Sequence, residues 1–455
     1  MRALRVAVSV VTLGALAGLG PSAVATHEGD DIHSANMSLV TNVATGRGGE
    51  LAFWRDTAVL AHGATDGDPR NDGFVLLDIS TPSHPRKIGE FTCVGSAYDV
   101  GIWRDLVFLS VSVPVKGTDC DADRTTREDP QAFAGIRVVS IEDPARPVQL
   151  TAVPTNMTAV GSGSHTHTLL PDLDHRDARD RKAPRILVYV SGVAPEEIVE
   201  VPLRRPADAK VISWIDTEPS QGCHDVSFFV ERRLATCNGI QPDTMLWDVS
   251  NPERPRVVGR IVNPLVAHHH SSAFSSDGDT LMIVDENAAN LVGEKCQGGT
   301  PSPTGVMWFY DISNPSIPVL LSYYQLPQPV PDRGCTAHQF NVVPLKSGRD
   351  VLVAGWYGGG TTVVDFTDVG PANPPRQIAY YIADVDDPDQ HSFPWSSYWY
   401  NGHIYANHVK AFEHGLPGIG SDRGFDVFSI RHPALRDAIP MRSFNFGLQE
   451  EIRTK

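Results

Sequence analysis

One turn signature recurs along this 455-residue chain and constrains its fold more than any other feature. An apolar stretch ends in Asp-Ile-Ser or a close variant, and a proline-bounded turn follows, as at Asp78, Asp248 and Asp311. Asp and Ser side chains bond nearby backbone N–H groups in such turns, and proline stops the strand. Looser copies lie at positions 140, 201, 365 and 429, so seven units follow one another at intervals of 47 to 64 residues.

Two further strand-like runs precede the motif in each unit, for example residues 98–103 and 106–110 in the second. Four short antiparallel strands at this period predict an all-β fold, a seven-bladed β-propeller of four-stranded antiparallel blades. The alternative is two stacked β-sandwich domains, which rarely repeat one turn signature seven times. Residues 37–43 have the pattern of an outer strand, and we expect them to complete the last blade.

The turn units resemble the LVIVD-repeat family of β-propeller proteins over nearly the whole chain. The family's namesake motif is similar to three runs, Val75-Leu76-Leu77-Asp78, Leu246-Trp247-Asp248 and Val363-Val364-Asp365. The third and seventh units depart from the motif because the aspartate is lost. The resemblance implies a propeller and implies little about function, since the family has no single well-defined activity.

The N-terminus has the pattern of a secretory signal. Arg2 and Arg5 form a basic region, residues 6–19 are apolar but too short for a membrane span, and Ala23-Val24-Ala25 is a cleavage pattern. We predict a signal peptide over residues 1–25, cleaved after Ala25, and a single propeller domain over residues 26–455. The mature chain is then expected to be secreted, with no membrane span after cleavage. An uncleaved anchor is the alternative.

The acidic charge limits the partners of the chain. The formal net charge is −16, and loss of Arg2 and Arg5 with the signal would leave −18. Such a surface repels phosphate backbones and anionic lipids. We therefore predict no nucleic-acid partner, and expect a monomer that binds a small molecule or an extracellular ligand.

Six cysteines are an even number in an exported chain, which favours disulfides over free thiols. Fifteen pairings are possible, and a cysteine metal site is the alternative, although no C-x-x-C motif occurs. Pairing of nearest neighbours predicts the bonds Cys93–Cys120, Cys223–Cys237 and Cys296–Cys335.

Histidines recur just before or within the first strand of several units. Because the first strands of a propeller line its central channel, equivalent positions form a ring around the axis. Aligning the apolar residues places a histidine at one ring position in four consecutive units, although histidine makes up only 17 of 455 residues. The predicted metal ligands are His165 or His167, His224, His270 and His338.

Imidazole binds zinc, copper, iron and manganese, whereas calcium prefers oxygen ligands. We therefore predict a transition metal ion at the mouth of the channel. A second tier comprises two ligands or general bases and three acids that could orient imidazoles: His269, His391, Asp99, Asp225 and Glu50. We expect His268 to be exposed, since three successive strand residues cannot face one side. The alternative is a ring that closes the channel through hydrogen bonds and water.

Two functions follow from this site. One is a metal-dependent enzyme acting on a small molecule, with oxidation favoured for iron or copper and hydrolysis by a metal-bound hydroxide for zinc. The other is a non-catalytic extracellular binding or scaffold propeller. A histidine ring on a propeller axis loosely resembles carotenoid oxygenases and selenium-binding protein/methanethiol oxidases. That similarity concerns architecture alone and carries no residue over.

Overall fold

A computed structural model describes residues 25–28, 31–63, 69–157, 163–287, 296, 303–328, 330, 335–387, 390–411 and 419–449. The rest of the predicted signal segment, residues 1–24, lies outside the described residues. Within them the chain forms β-strands and short 3-10 turns, with no α-helix. No helix in this part of the chain is long and apolar enough to cross a membrane. The 3-10 turns are Pro69–Asn71, Pro206–Asp208, Val230–Arg232 and Pro433–Leu435.

The strands are numbered in chain order. The first three are β1 Ala25–Glu28, β2 Asp31–Ser34 and β3 Met37–Val43. The next twelve are β4 Arg47–Trp54, β5 Thr57–Gly63, β6 Gly73–Asp78, β7 Arg86–Thr92, β8 Ser96–Trp103, β9 Leu106–Lys116, β10 Ala132–Ser140, β11 Val148–Pro154, β12 Thr166–Asp172, β13 Arg185–Ser191, β14 Glu196–Pro202 and β15 Lys210–Ile215.

The remaining strands continue this series. Twelve follow as β16 Asp225–Phe229, β17 Leu234–Asn238, β18 Asp243–Asp248, β19 Arg256–Val262, β20 His269–Phe274, β21 Thr280–Asp285, β22 Met307–Asp311, β23 Val319–Tyr324, β24 Thr336–Val342, β25 Val351–Tyr357, β26 Gly360–Asp365 and β27 Arg376–Ile382. The chain closes with β28 Pro394–Tyr400, β29 His403–His408, β30 Lys410–Ala411, β31 Ile419–Gly420, β32 Phe425–Ile430, β33 Ser443–Phe444 and β34 Leu448–Gln449.

From β4 onwards, every four consecutive strands up to β27 pair antiparallel in order, forming successive four-stranded sheets. The last sheet has the order β28, β29, β32 and β3, so the N-terminal strand supplies its outer edge. Met37 pairs with Ile430 and Val43 with Phe425 in this sheet. The prediction that residues 37–43 complete the last unit is therefore confirmed.

The recurring turn motif lies at the end of the third strand of each sheet. The Asp78 carboxylate accepts a hydrogen bond from the Ser80 backbone N–H at 2.9 Å, and Asp248 accepts one from Ser250 at 2.8 Å. These bonds close the turn locally, which explains why Asp and Ser recur there. The turn of one sheet also packs closely against the outer strand of the preceding sheet. Gly89 on β7 lies so near the turn after β10 that an added Cβ would be 1.7 Å from the Pro144 carbonyl oxygen.

The first strands of the sheets contact one another in a ring. Strand β4 touches β8, β8 touches β12, and the sequence continues through β16, β20, β24 and β28, which touches β4 again. Hydrophobic clusters lie between adjacent sheets, as where Leu76 of the first sheet meets Val100 of the second. Four-stranded antiparallel sheets that pack face to face around a ring of first strands form a β-propeller.

A C-terminal strap, residues 443–449, crosses one end of this ring. Its strand β33 pairs with β4, and its strand β34 runs parallel to β16. The Asn445 side chain bonds both the N–H and the carbonyl of Ile102, at 2.7 and 2.9 Å. Gln449 accepts a bond from the Phe274 N–H at 3.2 Å. The strap therefore ties together the first strands of four sheets.

The structure contains three disulfides, and they join the neighbouring cysteines of the sequence. They are Cys93–Cys120, Cys223–Cys237 and Cys296–Cys335. Disulfides are typical of proteins that fold in an oxidising compartment.

Candidate metal centre

Four histidines from consecutive sheets meet where the first strands begin. The His224 and His270 ring centroids lie 3.9 Å apart, those of His270 and His338 4.3 Å, and those of His165 and His224 4.9 Å. His224, His270 and His338 are each at most 6% exposed. The predicted ring position thus places these four imidazoles in one row at the mouth opposite the C-terminal strap.

The histidine triplet 268–270 divides between two directions. The His268 ring lies 4.9 Å from that of His224, while Nδ1 of His269 lies 2.9 Å from the Thr244 hydroxyl of the preceding sheet. Successive residues point to opposite sides, so His268 and His270 face the cluster and His269 turns away. The expectation that His268 would be exposed is wrong, because the alternation turns His269, not His268, away from the cluster.

Glu286 is the carboxylate at the centre of this cluster. Its Oε2 lies 3.5 Å from Nδ1 of His268 and 3.5 Å from Nε2 of His270, and its Oε1 lies 3.6 Å from Nε2 of His338. One ligand atom from each of His224, His270 and Glu286 falls within 4.8 Å of the others.

Sequence reasoning missed Glu286 because it follows the second strand of its sheet. Its neighbour Asp285 pairs with His269 across the hairpin. The sequence signal that could have found Glu286 is the antiparallel hairpin, in which the end of the second strand lies beside the start of the first strand and so beside the histidine triplet.

His338 and His224 are each held at one ring nitrogen. Nδ1 of His338 lies 2.5 Å from the Trp395 carbonyl, and Nδ1 of His224 lies 3.3 Å from Oδ2 of Asp225. The same Asp225 oxygen lies 3.7 Å from Nδ1 of His270 and accepts a bond from the Gln339 amide at 3.0 Å. Carbonyl and carboxylate partners of this kind orient metal-binding imidazoles and fix their tautomer. Asp225 lies where the sequence suggested such a partner.

Burial and charge set the protonation of the cluster. Burial lowers the pKa of His338 to about 3 and, together with the neighbouring His224, holds that of His270 well below its usual range. Burial also opposes protonation of His224, but the Asp225 and Glu286 carboxylates outweigh it and raise its pKa. Burial opposes ionisation of Asp225, but His224 beside it lowers the pKa of that carboxyl. The cluster therefore combines two neutral imidazoles, His270 and His338, with carboxylates, a donor set suited to a cation, and a metal ion would have to displace the proton that the carboxylates favour on His224.

Three of the other predicted residues belong to separate networks. Nδ1 of His167 lies 2.6 Å from Oδ2 of Asp99 and 2.8 Å from the Ser110 hydroxyl. Glu50 accepts a bond from the Tyr398 hydroxyl at 2.5 Å, and burial raises the pKa of its carboxyl well above its usual range. The structure thus brings His165 rather than His167 to the cluster.

His391 is separated from the cluster by a row of aromatic rings. Tyr357 stacks on His338 at 4.4 Å and on Phe393 at 4.6 Å, and His391 lies 5.8 Å beyond Phe393. The Tyr357 hydroxyl donates to Nε2 of His338 at 3.0 Å. Tyr357 is therefore a second group at the site that the sequence did not indicate.

The family comparison matches the repeat units. The LVIVD repeat model matches residues 69–93 and 310–325, which include the turns at Asp78 and Asp311. The chain contains LVIVD repeats. In this LVIVD-repeat propeller the matched segments form third and fourth strands, on the outer side of the sheets and away from the histidine cluster. No curated protein matches the sequence.

Solved structures support the fold of the LVIVD-repeat chain. A protein from Lactobacillus plantarum is similar with a TM-score of 0.53 and 9% identity, covering 86% of this chain and 100% of that one. A proposed 6-phosphogluconolactonase from Bacteroides fragilis is similar with a TM-score of 0.50 and 9% identity, covering 83% and 98%. At such identities the likeness concerns the fold alone and carries no activity to this chain.

Proposed function

We propose that this β-propeller binds a transition metal ion through His224, His270 and Glu286. The observation that carries the proposal is the convergence of one ligand atom from each of two buried histidines and the half-buried Glu286 within 4.8 Å. Two imidazoles and a carboxylate form a donor set used by non-haem iron and by catalytic zinc. His338 has its Nδ1 held by a carbonyl and its Nε2 3.6 Å from Glu286, so it supplies a further ligand position once a metal ion displaces the Tyr357 hydroxyl from Nε2.

The metal would make the propeller an enzyme for a small molecule. Three protein ligands leave coordination positions open for water or substrate. With iron or copper in the site we expect oxidation chemistry, and with zinc hydrolysis by a metal-bound hydroxide. Burial keeps His270 and His338 neutral, so both could offer lone pairs at neutral pH. A small molecule would reach the site from the mouth opposite the C-terminal strap.

We further infer that the propeller has seven blades and that the mature chain is secreted. The closed series of first strands from β4 through β28 back to β4 supports the blade number. The three disulfides support export to an oxidising compartment.

Elemental analysis of the purified mature protein tests the metal proposal. The wild-type protein should hold about one equivalent of a transition metal, and the His224→Ala/His338→Ala double variant should lose most of it. His84→Ala is the matched control, since this exposed loop histidine contacts Ser83 away from the channel. The control should keep the wild-type metal content.

Two results would overturn the proposal. The first is a wild-type protein that holds less than about a tenth of an equivalent of any transition metal after reloading. That result would favour a non-catalytic binding propeller. Full metal content in the double variant would instead refute the assignment of the ligands.

A further inference from the structure

Tyr357 is fixed beside His338 by the turn that follows it and by its stacked neighbours. It ends β25, and a tight turn through Gly358, which has a φ of 65°, returns the chain into β26. Its ring stacks on that of His338 at 4.4 Å and on that of Phe393 at 4.6 Å. Tyr357 is 5% exposed, so packing on both faces of its ring fixes the direction of its hydroxyl.

The hydroxyl of Tyr357 contacts the ring nitrogen that His338 would offer to a metal ion. The Trp395 carbonyl can only accept a hydrogen bond, so Nδ1 of His338, which lies 2.5 Å from it, carries the proton. Nε2 therefore holds the lone pair of the neutral imidazole. The Tyr357 hydroxyl donates to this nitrogen at 3.0 Å. A metal ion would bind the same lone pair, so the hydroxyl and the metal ion compete for one atom.

His270 differs from His338 in this respect. Its Nε2 lies 3.5 Å from Oε2 of Glu286, and an ionised carboxylate has no proton to donate. Nε2 of His338 lies at nearly the same distance, 3.6 Å, from the other oxygen of Glu286. The two imidazoles thus stand alike toward the carboxylate, and the Tyr357 hydroxyl is what distinguishes them.

We propose that Tyr357 is a positioning residue that competes with the metal ion for Nε2 of His338. This role rests on the proposed metal centre. When His338 binds a metal ion, the Tyr357 hydroxyl becomes a buried donor that has lost its acceptor, which costs free energy. His338 is therefore a weaker ligand than His270. The centre retains three protein ligands, and a coordination position stays open for a small molecule.

Zinc binding by the purified mature protein, measured against a chromophoric chelator, tests this competition. Tyr357→Phe keeps the stacked ring and removes the hydroxyl, so it should bind zinc about tenfold more tightly than the wild type. Tyr323→Phe is the matched control, because Tyr323 is 40% exposed on the outer strand β23 and should leave the affinity unchanged. If the wild type holds zinc and Tyr357→Phe binds it equally or more weakly, this proposal is overturned and the metal centre stands.

Variants of His338 separate the competition from an effect of packing. In a His338→Ala background the hydroxyl has no lone pair to compete for, so adding Tyr357→Phe should leave the zinc affinity unchanged. The same gain in both backgrounds would show that Tyr357→Phe acts through packing and would overturn the proposal. His338→Phe, which keeps a ring beside Tyr357, replaces His338→Ala if that variant folds poorly.

A measurement on the metal-free protein distinguishes failure of this proposal from failure of the metal centre. The NMR resonance of Nε2 of His338, identified by its absence in the His338 variant, should shift in Tyr357→Phe because the hydrogen bond is lost. An unchanged resonance would overturn the proposal whatever the metal content. A shifted resonance in a protein that binds no zinc would overturn the metal centre, and the competition with it.

Discussion

Two buried histidine networks in this propeller differ in how their charges are matched. In the last sheet, Nε2 of His408 lies 3.1 Å from Oδ2 of Asp426, and the Arg423 guanidinium bonds the same oxygen at 2.6 Å. At the channel mouth, Glu286 faces several imidazoles, and among the described residues Nδ1 of His270 has no hydrogen-bond partner. The first network contains the permanent cation of Arg423, whereas the second sets its carboxylates against titratable imidazoles alone.

This difference separates a structural network from a candidate functional one. Buried ionised groups persist in proteins when they are paired or when they coordinate a metal. The Arg423 network joins the last two sheets, because Arg423 also bonds Asp384, and it needs no ligand. At the channel mouth, the groups that face the carboxylates are titratable imidazoles, which a metal ion could bind in place of their protons. Variants in the Arg423 network should therefore lose stability, whereas variants in the channel-mouth cluster should lose metal affinity.

The largest effect is expected at the internally paired network. Asp426→Asn would leave Arg423 buried without its main partner and should destabilise the protein by about 3–5 kcal/mol, with the metal content unchanged. Urea unfolding measures this loss. Asp174→Asn is the control, because the Asp174 side chain is 98% exposed and its removal should cost less than about 0.5 kcal/mol.

The same variant predicts a pH dependence. Burial opposes ionisation of Asp426, but Arg423 and His408 outweigh it and lower its pKa to about 2. Because the folded-state pKa is depressed, this carboxylate stabilises the protein above about pH 4 and loses that contribution as the pH falls to about 2. The difference in the free energy of unfolding between wild type and Asp426→Asn should therefore shrink as the pH falls from about 4 to about 2. A difference that stays constant would contradict the ion pair between Asp426 and Arg423.

Glu286→Gln should have the next largest effect, now on metal binding. Removing the charge of a direct ligand should weaken binding by more than the roughly 10- to 100-fold that loss of an orienting partner causes. Competition with a chromophoric chelator measures the affinity. Glu142→Gln, at an exposed turn, should match the wild type. Unchanged affinity in Glu286→Gln would remove the carboxylate from the ligand set.

Asp225→Asn should weaken the metal less than loss of a ligand. Its carboxylate holds His224 and lies near His270, so the amide should cost about 10- to 100-fold in affinity. The same chelator competition gives the number. If Asp225→Asn binds the metal as tightly as the wild type, the imidazoles do not depend on this partner.

The smallest effect distinguishes neighbours within the triplet. His268→Ala should lower metal affinity by a few-fold, roughly up to 1 kcal/mol, because its ring contacts those of His224 and His270. His269→Ala should leave the affinity unchanged, since its imidazole turns toward Thr244. A larger loss of metal affinity in His269→Ala than in His268→Ala would show that His269, rather than His268, faces the cluster.

Much of the fold was predictable because the turn chemistry is local. The Asp-Ile-Ser signature closes each third strand through bonds between residues two apart, so sequence alone places it. The ring position of His224, His270 and His338 followed from the period of the repeat.

What sequence reasoning missed depends on pairing across hairpins. Glu286 reaches the cluster because the second strand of its sheet returns beside the first. Tyr357 ends another second strand and reaches the cluster in the same way. The sequence around Glu286 or Tyr357 carries no local signal of that contact. The choice between His165 and His167 depended on where the strand begins, because His165 precedes β12 and His167 lies within it.

Anomalous X-ray diffraction from a crystal of metal-loaded protein tests the central claim most directly. The account predicts one peak at the channel mouth, at about 2.0–2.3 Å from Nε2 of His270, a nitrogen of His224 and an oxygen of Glu286. A peak at any other place, or no peak after soaking with zinc, iron, copper or manganese, would contradict it.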